Sequence, residues 1–160
     1  MYRRYLTSIV LFAFVTSLSG CGGGERLSPD VTAILEKADE IELYSLNPDK
    51  RLRKAGTGLE GWQVLGQTTL SGDEKTAIVK ALQKGIAASD GSVAACFNPR
   101  HGIEATHDGK RVVLIICFEC SSISGSIDGA PFSVLTSGRA ADEFNRVLTA
   151  NKVPLPKPAE

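Results

Sequence analysis

A chain of 160 residues has room for one ordinary domain and excludes a second core, since compact domains mostly run to about 100–150 residues. With 18 Lys and Arg against 18 Asp and Glu and no block of like charge, it also excludes a nucleic-acid binder that relies on a basic field. A composition that is 42% hydrophobic and 22% charged is globular and excludes the disordered class.

Arg3 and Arg4 precede an apolar run from Leu6 to Leu18, interrupted only by Thr7, Ser8, Thr16 and Ser17. A charged start followed by so short a greasy stretch has the form of a secretory leader, because a membrane span needs about 20 apolar residues. The run ends in Leu18-Ser19-Gly20-Cys21. These four residues resemble the lipobox of bacterial lipoproteins, and the resemblance implies a signal peptide over 1–20 and a lipidated Cys21 as the mature N-terminus. Acyl chains would then hold the protein on a membrane at about 0.8 kcal/mol per buried CH₂. Loss of residues 1–20 removes two basic side chains and no acidic one, so the remainder carries a formal charge of −2 and has no electrostatic grip on an anionic bilayer. Gly22 follows Cys21 where inner-membrane lipoproteins of two-membrane cells carry Asp, so the resemblance implies an outer-membrane anchor facing the periplasm. Residues 21–27 are expected to be lipidated Cys and flexible tether, with Gly22, Gly23 and Gly24 supplying the freedom.

Ser28-Pro29-Asp30 opens a short helix with cap, proline and acid in their favoured order, and Val31, Ile34 and Leu35 supply its apolar face. Glu40 to Leu46 alternates and stops at Asn47-Pro48, which predicts a strand. Asp49 to Gly61 reads as a loop, whose Lys50, Arg51, Arg53 and Lys54 are more simply solvated than aimed at an anionic partner. Trp62 to Leu70 predicts a second strand with Trp62, Val64 and Gly66 on one side. Ser71 and Glu74 have capping-box spacing ahead of a helix over about 72–84, striped by Ala77, Ile78, Ala81, Leu82 and Ile86. Val93 to Phe97 is an apolar run with the look of a short strand, halted at Asn98-Pro99.

Asp108-Gly109 and Asp128-Gly129 are two-residue turn signals, because type I′ turns need positive φ at both central positions. They predict a meander whose middle strand, Arg111 to Cys120, is apolar on both faces and so central in the sheet. Phe132 to Leu135 adds a fourth strand, and Ala140, Phe144, Val147 and Leu148 mark a last helix before a tail with Pro154, Pro156 and Pro158. The expectation is one α+β domain over 28–152, with an antiparallel sheet, hairpins at the two Asp-Gly pairs and helices packed on one face.

A two-residue turn at Asp108-Gly109 pairs His107 with Lys110 and so sets His101 opposite Ile116 and Arg100 opposite Cys117. Cys96, Arg100, His101, Cys117, Glu119 and Cys120 therefore gather at one end of the hairpin. With Cys21 given to lipid, three cysteines remain, and outside the cytoplasm an odd number leaves one thiol free, ligated or bonded to a partner. The strings Cys96-Phe97-Asn98-Pro99-Arg100-His101 and Cys117-Phe118-Glu119-Cys120 resemble segments of a group of bacterial secreted and lipid-anchored proteins, a resemblance that brings no established activity with it.

Three accounts of the cluster compete. A structural disulfide from Cys96 to Cys120 or Cys117 closes a loop of about 20–25 residues and contributes about 3 kcal/mol. A zinc or copper site from Cys96, His101, Cys117 and Cys120 has acceptable spacing, but needs a bulge or turn at Phe118-Glu119 to bring Cys117 and Cys120 to one side. Thiol redox chemistry at the C-x-x-C is disfavoured by the absence of a following helix N-terminus and by the Glu119 carboxylate. A Cys96-His101 dyad is disfavoured because a thiol buried between Ala95 and Phe97 stays protonated. His101 alone is expected to bond to backbone, Arg100 to pair with Glu104 or Glu119, and the Arg100-His101 pair to be able to hold an anion or contact a partner. No nucleophile elbow, phosphate loop, dinucleotide fingerprint or H-E-x-x-H occurs. The expected function is that of a non-catalytic binding or structural module, anchored through Cys21, with no cofactor, an envelope protein as possible partner and no nucleic acid. A metal-handling lipoprotein is the alternative and a thiol enzyme the third reading.

Overall fold

The computed structural model describes residues 25–54 and 58–157. The leader, Cys21 and the three glycines of the tether lie outside the described residues, as does Pro158. In chain order the elements are α1 (Pro29–Lys37), β1 (Glu40–Arg51), β2 (Trp62–Ser71), α2 (Gly72–Ala87), β3 (His101–His107), β4 (Lys110–Cys117), β5 (Ser122–Ile127), β6 (Ala130–Leu135), a 3-10 turn at Gly138–Ala140, and α3 (Ala141–Ala150). The strands form one antiparallel six-stranded sheet in the order β2-β1-β3-β4-β5-β6, which is the α+β arrangement expected from the turn signals.

The two Asp-Gly turns set the register. Asp108 and Gly109, like Asp128 and Gly129, all have positive φ, and the first turn pairs His107 with Lys110 and His101 with Ile116, as the arithmetic requires. Because antiparallel partners share a face, Leu43, Ile103, Leu114, Ile116, Ile123 and Val134 line one side of the sheet. There they join Leu35 of α1, Ile78 and Leu82 of α2, and Phe144 and Leu148 of α3 in the main core. All three helices thus bury their apolar stripes on one face of the sheet. Val153, just past α3, enters the same core and packs over Gly66.

Several local expectations are corrected. β1 runs through Pro48 to Arg51, because beyond Ser45 it no longer pairs with β3 and a residue without an N–H interrupts no central ladder there. Between Ser45 and Leu46 the register with β2 shifts, and this bulge turns Gly66 to the helix side while Val64 faces the other way with Trp62. Ser28 caps α1 through its hydroxyl, which accepts from Val31 N–H at 3.3 Å. Ser71 makes no such bond at the start of α2, since its backbone is held in the ladder opposite Glu40 and Gly72 makes the corner at φ 52°. The run Val93 to Phe97 is irregular rather than a strand. Its contacts with the sheet end include a single backbone bond from Ala94 N–H to the Cys120 carbonyl, 3.2 Å.

Candidate functional site

The end of the β3-β4 hairpin is built by a tight turn. After Cys117 the chain reverses over Phe118 to Ser121, with Ser121 at φ 54° and its N–H donating to the Phe118 carbonyl at 3.3 Å. That turn removes the obstacle of opposite faces: the Cα atoms of Cys117 and Cys120 stand 5.2 Å apart and their sulfurs are at disulfide-bonding distance. The expected pairing of Cys96 with Cys120 or Cys117 is therefore corrected to Cys117 with Cys120, and Cys96 holds the free thiol. Cys96 is exposed rather than buried, so the ground given for its inertness falls away. Its sulfur lies 3.2 Å from that of Cys120, and all three sulfurs form one cluster.

His101 and Arg100 are consecutive and project to opposite faces. His101 is buried on the helix side between Phe118 and Phe144, with ring centroids 5.3 and 5.5 Å away, and its Nε2 lies 2.9 Å from Asn145 Oδ1. Its partner is thus a side chain of α3 rather than backbone. Burial pushes the imidazole down to about pKa 4, with the hydrogen bond that His101 Nε2–H donates to Asn145 Oδ1 opposing the shift and the charge of Arg100 assisting it. Cys117 projects from the other face, so His101 does not join the sulfurs in a ligand set; two of the three clustered sulfurs are bonded to each other, and among the described residues no group of three His, Cys, Asp or Glu side chains is placed to hold a metal ion. The physical reason is strand alternation: His101 shares the helix side with Ile116, the residue before Cys117. Arg100 pairs with Glu119, Nε to Oε1 3.0 Å, and donates from Nη1 to the Lys157 carbonyl. Glu104 is taken instead by Arg111 and by the Tyr44 hydroxyl, at 2.6 and 3.3 Å. Burial, and after it the neighbouring carboxylates of Glu104 and Glu42, push the Tyr44 hydroxyl up to about pKa 12.

Sequence reasoning missed the face of the sheet away from the helices. A second, smaller apolar cluster of Tyr44, Leu46, Leu59, Trp62, Val113 and Ile115 lies there, with Val64 and Phe97 packed on it. Next to it opens a cleft of about 550 Å³ with Val113 and Ile115 in its floor. Trp62 and Phe97 meet edge to face at one wall, centroids 6.3 Å apart, and the Arg51 guanidinium lies 4.7 Å over the Trp62 ring. The other wall is hydroxylic: Ser122, Ser124 and Ser126 of β5 alternate onto this face, and Ser133 of β6 stands directly opposite Ser124. Arg51 and Glu60 are the titratable residues lining the cleft among the described residues, so its formal charge cancels. The signal was present as the alternating Ser-x-Ser-x-Ser of β5, set against the two-sided apolarity of β4.

Among the described residues no helix is long and apolar enough to cross a membrane. No family model, curated protein or solved structure matches the chain.

Proposed function

We propose that this protein is a lipid-anchored extracytoplasmic binding module, which holds a neutral, hydroxyl-bearing ligand in the cleft on the open face of its sheet. The observation that carries the binding role is the cleft lining: an apolar floor at Val113 and Ile115, an aromatic wall at Trp62 and Phe97, and a facing row of serine hydroxyls. Ligand sites commonly combine an apolar bed with a few placed polar groups, and a volume of about 550 Å³ is of the usual size. Apolar ring faces fringed by hydroxyls, as in a short oligosaccharide, complement such a lining without requiring charge.

The anchor rests on the leader and on Leu18-Ser19-Gly20-Cys21, and the bonded pair Cys117–Cys120 supports an oxidising compartment. The sulfur pair fastens the turn that follows β4, which keeps Ser122 in register opposite Cys117 at one end of the cleft. Trp62 is the sole tryptophan, so its emission reports on the cleft directly. Titration with chitotriose as the probe is expected to give a saturable change in that emission, which Ser124→Phe abolishes by filling the cleft. Absence of any saturable change into the millimolar range contradicts the proposed ligand chemistry.

A further inference from the structure

We propose that Cys96, Cys117 and Cys120 form a thiol–disulfide exchange site, in which the bond migrates between the buried pair Cys117–Cys120 and the solvent-facing pair Cys96–Cys120, opening the cluster to an external thiol. The cleft and its ligand play no part in this inference.

Four observations carry it. The free sulfur of Cys96 lies 3.2 Å from Cys120 Sγ, within reach of attack, while Cys117 and Cys120 are 1% and 0% exposed. The segment bearing Cys96 is tied to Cys120 on both sides of the thiol: Ala94 N–H donates to the Cys120 carbonyl at 3.2 Å, and Asn98 N–H to Cys120 Sγ at 3.4 Å. Between those ties Cys96 remains exposed, so solvent and small thiols reach it. The sulfur that would leave is also provided for, because the Cys120 N–H points at Cys117 Sγ from 3.2 Å and would donate to the departing thiolate.

The step balances without an outside oxidant. Cys96 gives its proton to water and its thiolate attacks Cys120 Sγ; the Cys117–Cys120 bond breaks, and Cys117 leaves as a thiolate that takes a proton back from water. One S–S bond forms, one breaks, and nothing is oxidised overall. The exchange carries the disulfide from a pair that solvent does not reach to one whose outer sulfur it does. An external thiolate then attacks Cys96 Sγ, forms a mixed disulfide there and releases Cys120 as a thiol, again with one S–S bond made and one broken.

The test uses the full chain carrying Cys21→Ser, so that these three are the remaining cysteines and the outcome is independent of lipidation. Samples are quenched in acid, which halts exchange, and the linked peptides are mapped by mass spectrometry. The proposal expects both Cys117–Cys120 and Cys96–Cys120 peptides, reaching the same ratio whichever pair predominates at the start. Cys117→Ser is expected to close the Cys96–Cys120 bond, and Cys96→Ser to slow incorporation of glutathione, the thiol probe, by at least about tenfold. A single pairing at every pH from about 6 to about 9 overturns the proposal, since thiolate supply rises across that range. So does a Cys117→Ser protein that keeps two free thiols in air, or a Cys96→Ser protein that takes up glutathione at the unsubstituted rate.

Discussion

His101 and Asn145 stand 44 positions apart in the chain, yet the Nε2 of one lies 2.9 Å from the Oδ1 of the other, joining β3 to α3 across the main core. The neutral imidazole donates from Nε2, and its Nδ1 is left buried with no partner among the described residues. Ser45, directly opposite His101 on β1, is fully buried with an equally unpartnered hydroxyl. A proton added to the ring would therefore have to be accommodated between two aromatic rings, beside the positive charge of Arg100.

This arrangement makes stability depend on acidity. The folded imidazole titrates near 4, below the 6.5 of the unfolded chain, so the unfolded state takes up the proton first as the pH falls. The stability conferred by the neutral ring is complete above pH 6.5 and is lost progressively down to about pH 4, where the folded state protonates too. The largest loss is about 3 kcal/mol. Urea unfolding at pH 7 and pH 4 is expected to show that loss in the unsubstituted chain and to show it greatly reduced in His101→Leu. Equal pH dependence in both proteins contradicts the assignment.

Gly102 is required by close packing. A Cβ at that position would overlap Leu59 Cδ2 and lie 3.3 Å from the Leu114 carbonyl oxygen, and Leu59 is itself only 4% exposed. Gly102→Ala therefore pushes Leu59 out of the open-face cluster at a cost of about 1–3 kcal/mol. Thermal unfolding is expected to shift down by several degrees, with a red shift of Trp62 emission as its neighbour in that cluster is displaced.

Arg51 lies over Trp62 at 4.7 Å and lines the cleft. An exposed cation–π contact contributes about 0.5–1 kcal/mol, so Arg51→Ala is expected to lower stability by no more than that. The clearer effect is optical: collisional quenching of Trp62 by acrylamide is expected to increase, because the guanidinium that shields the ring has gone.

How much of this was legible in the sequence follows from which forces are local. Asp108-Gly109 dictates its own φ values, and everything in register with it, including His101 opposite Ile116, followed from counting. The apolar stripe of α3 was equally plain, because Phe144, Val147 and Leu148 repeat at helical spacing. The turn from Phe118 to Ser121 was not, since no glycine or proline announces it and its positive φ falls on a serine. Without that turn, strand alternation sets Cys117 and Cys120 on opposite faces, which leaves Cys96 as the expected partner. Val93 to Phe97 misled for a related reason. Its apolarity resembles that of a strand, but Phe97 instead packs on the second cluster, beside a cleft assembled from five strands and the segments between them, which no single stretch of chain reveals.

The proposed placement on an envelope membrane rests on Cys21, and the N-terminus of the protein recovered from cells tests it most directly. Mass spectrometry of the membrane fraction is expected to find a chain beginning at an acylated Cys21 followed by Gly22. Cys21→Ser is expected to abolish labelling by radioactive palmitate and to lose that acylated form. An intact leader beginning at Met1, on a protein that takes up no palmitate and remains inside the cell, contradicts the account.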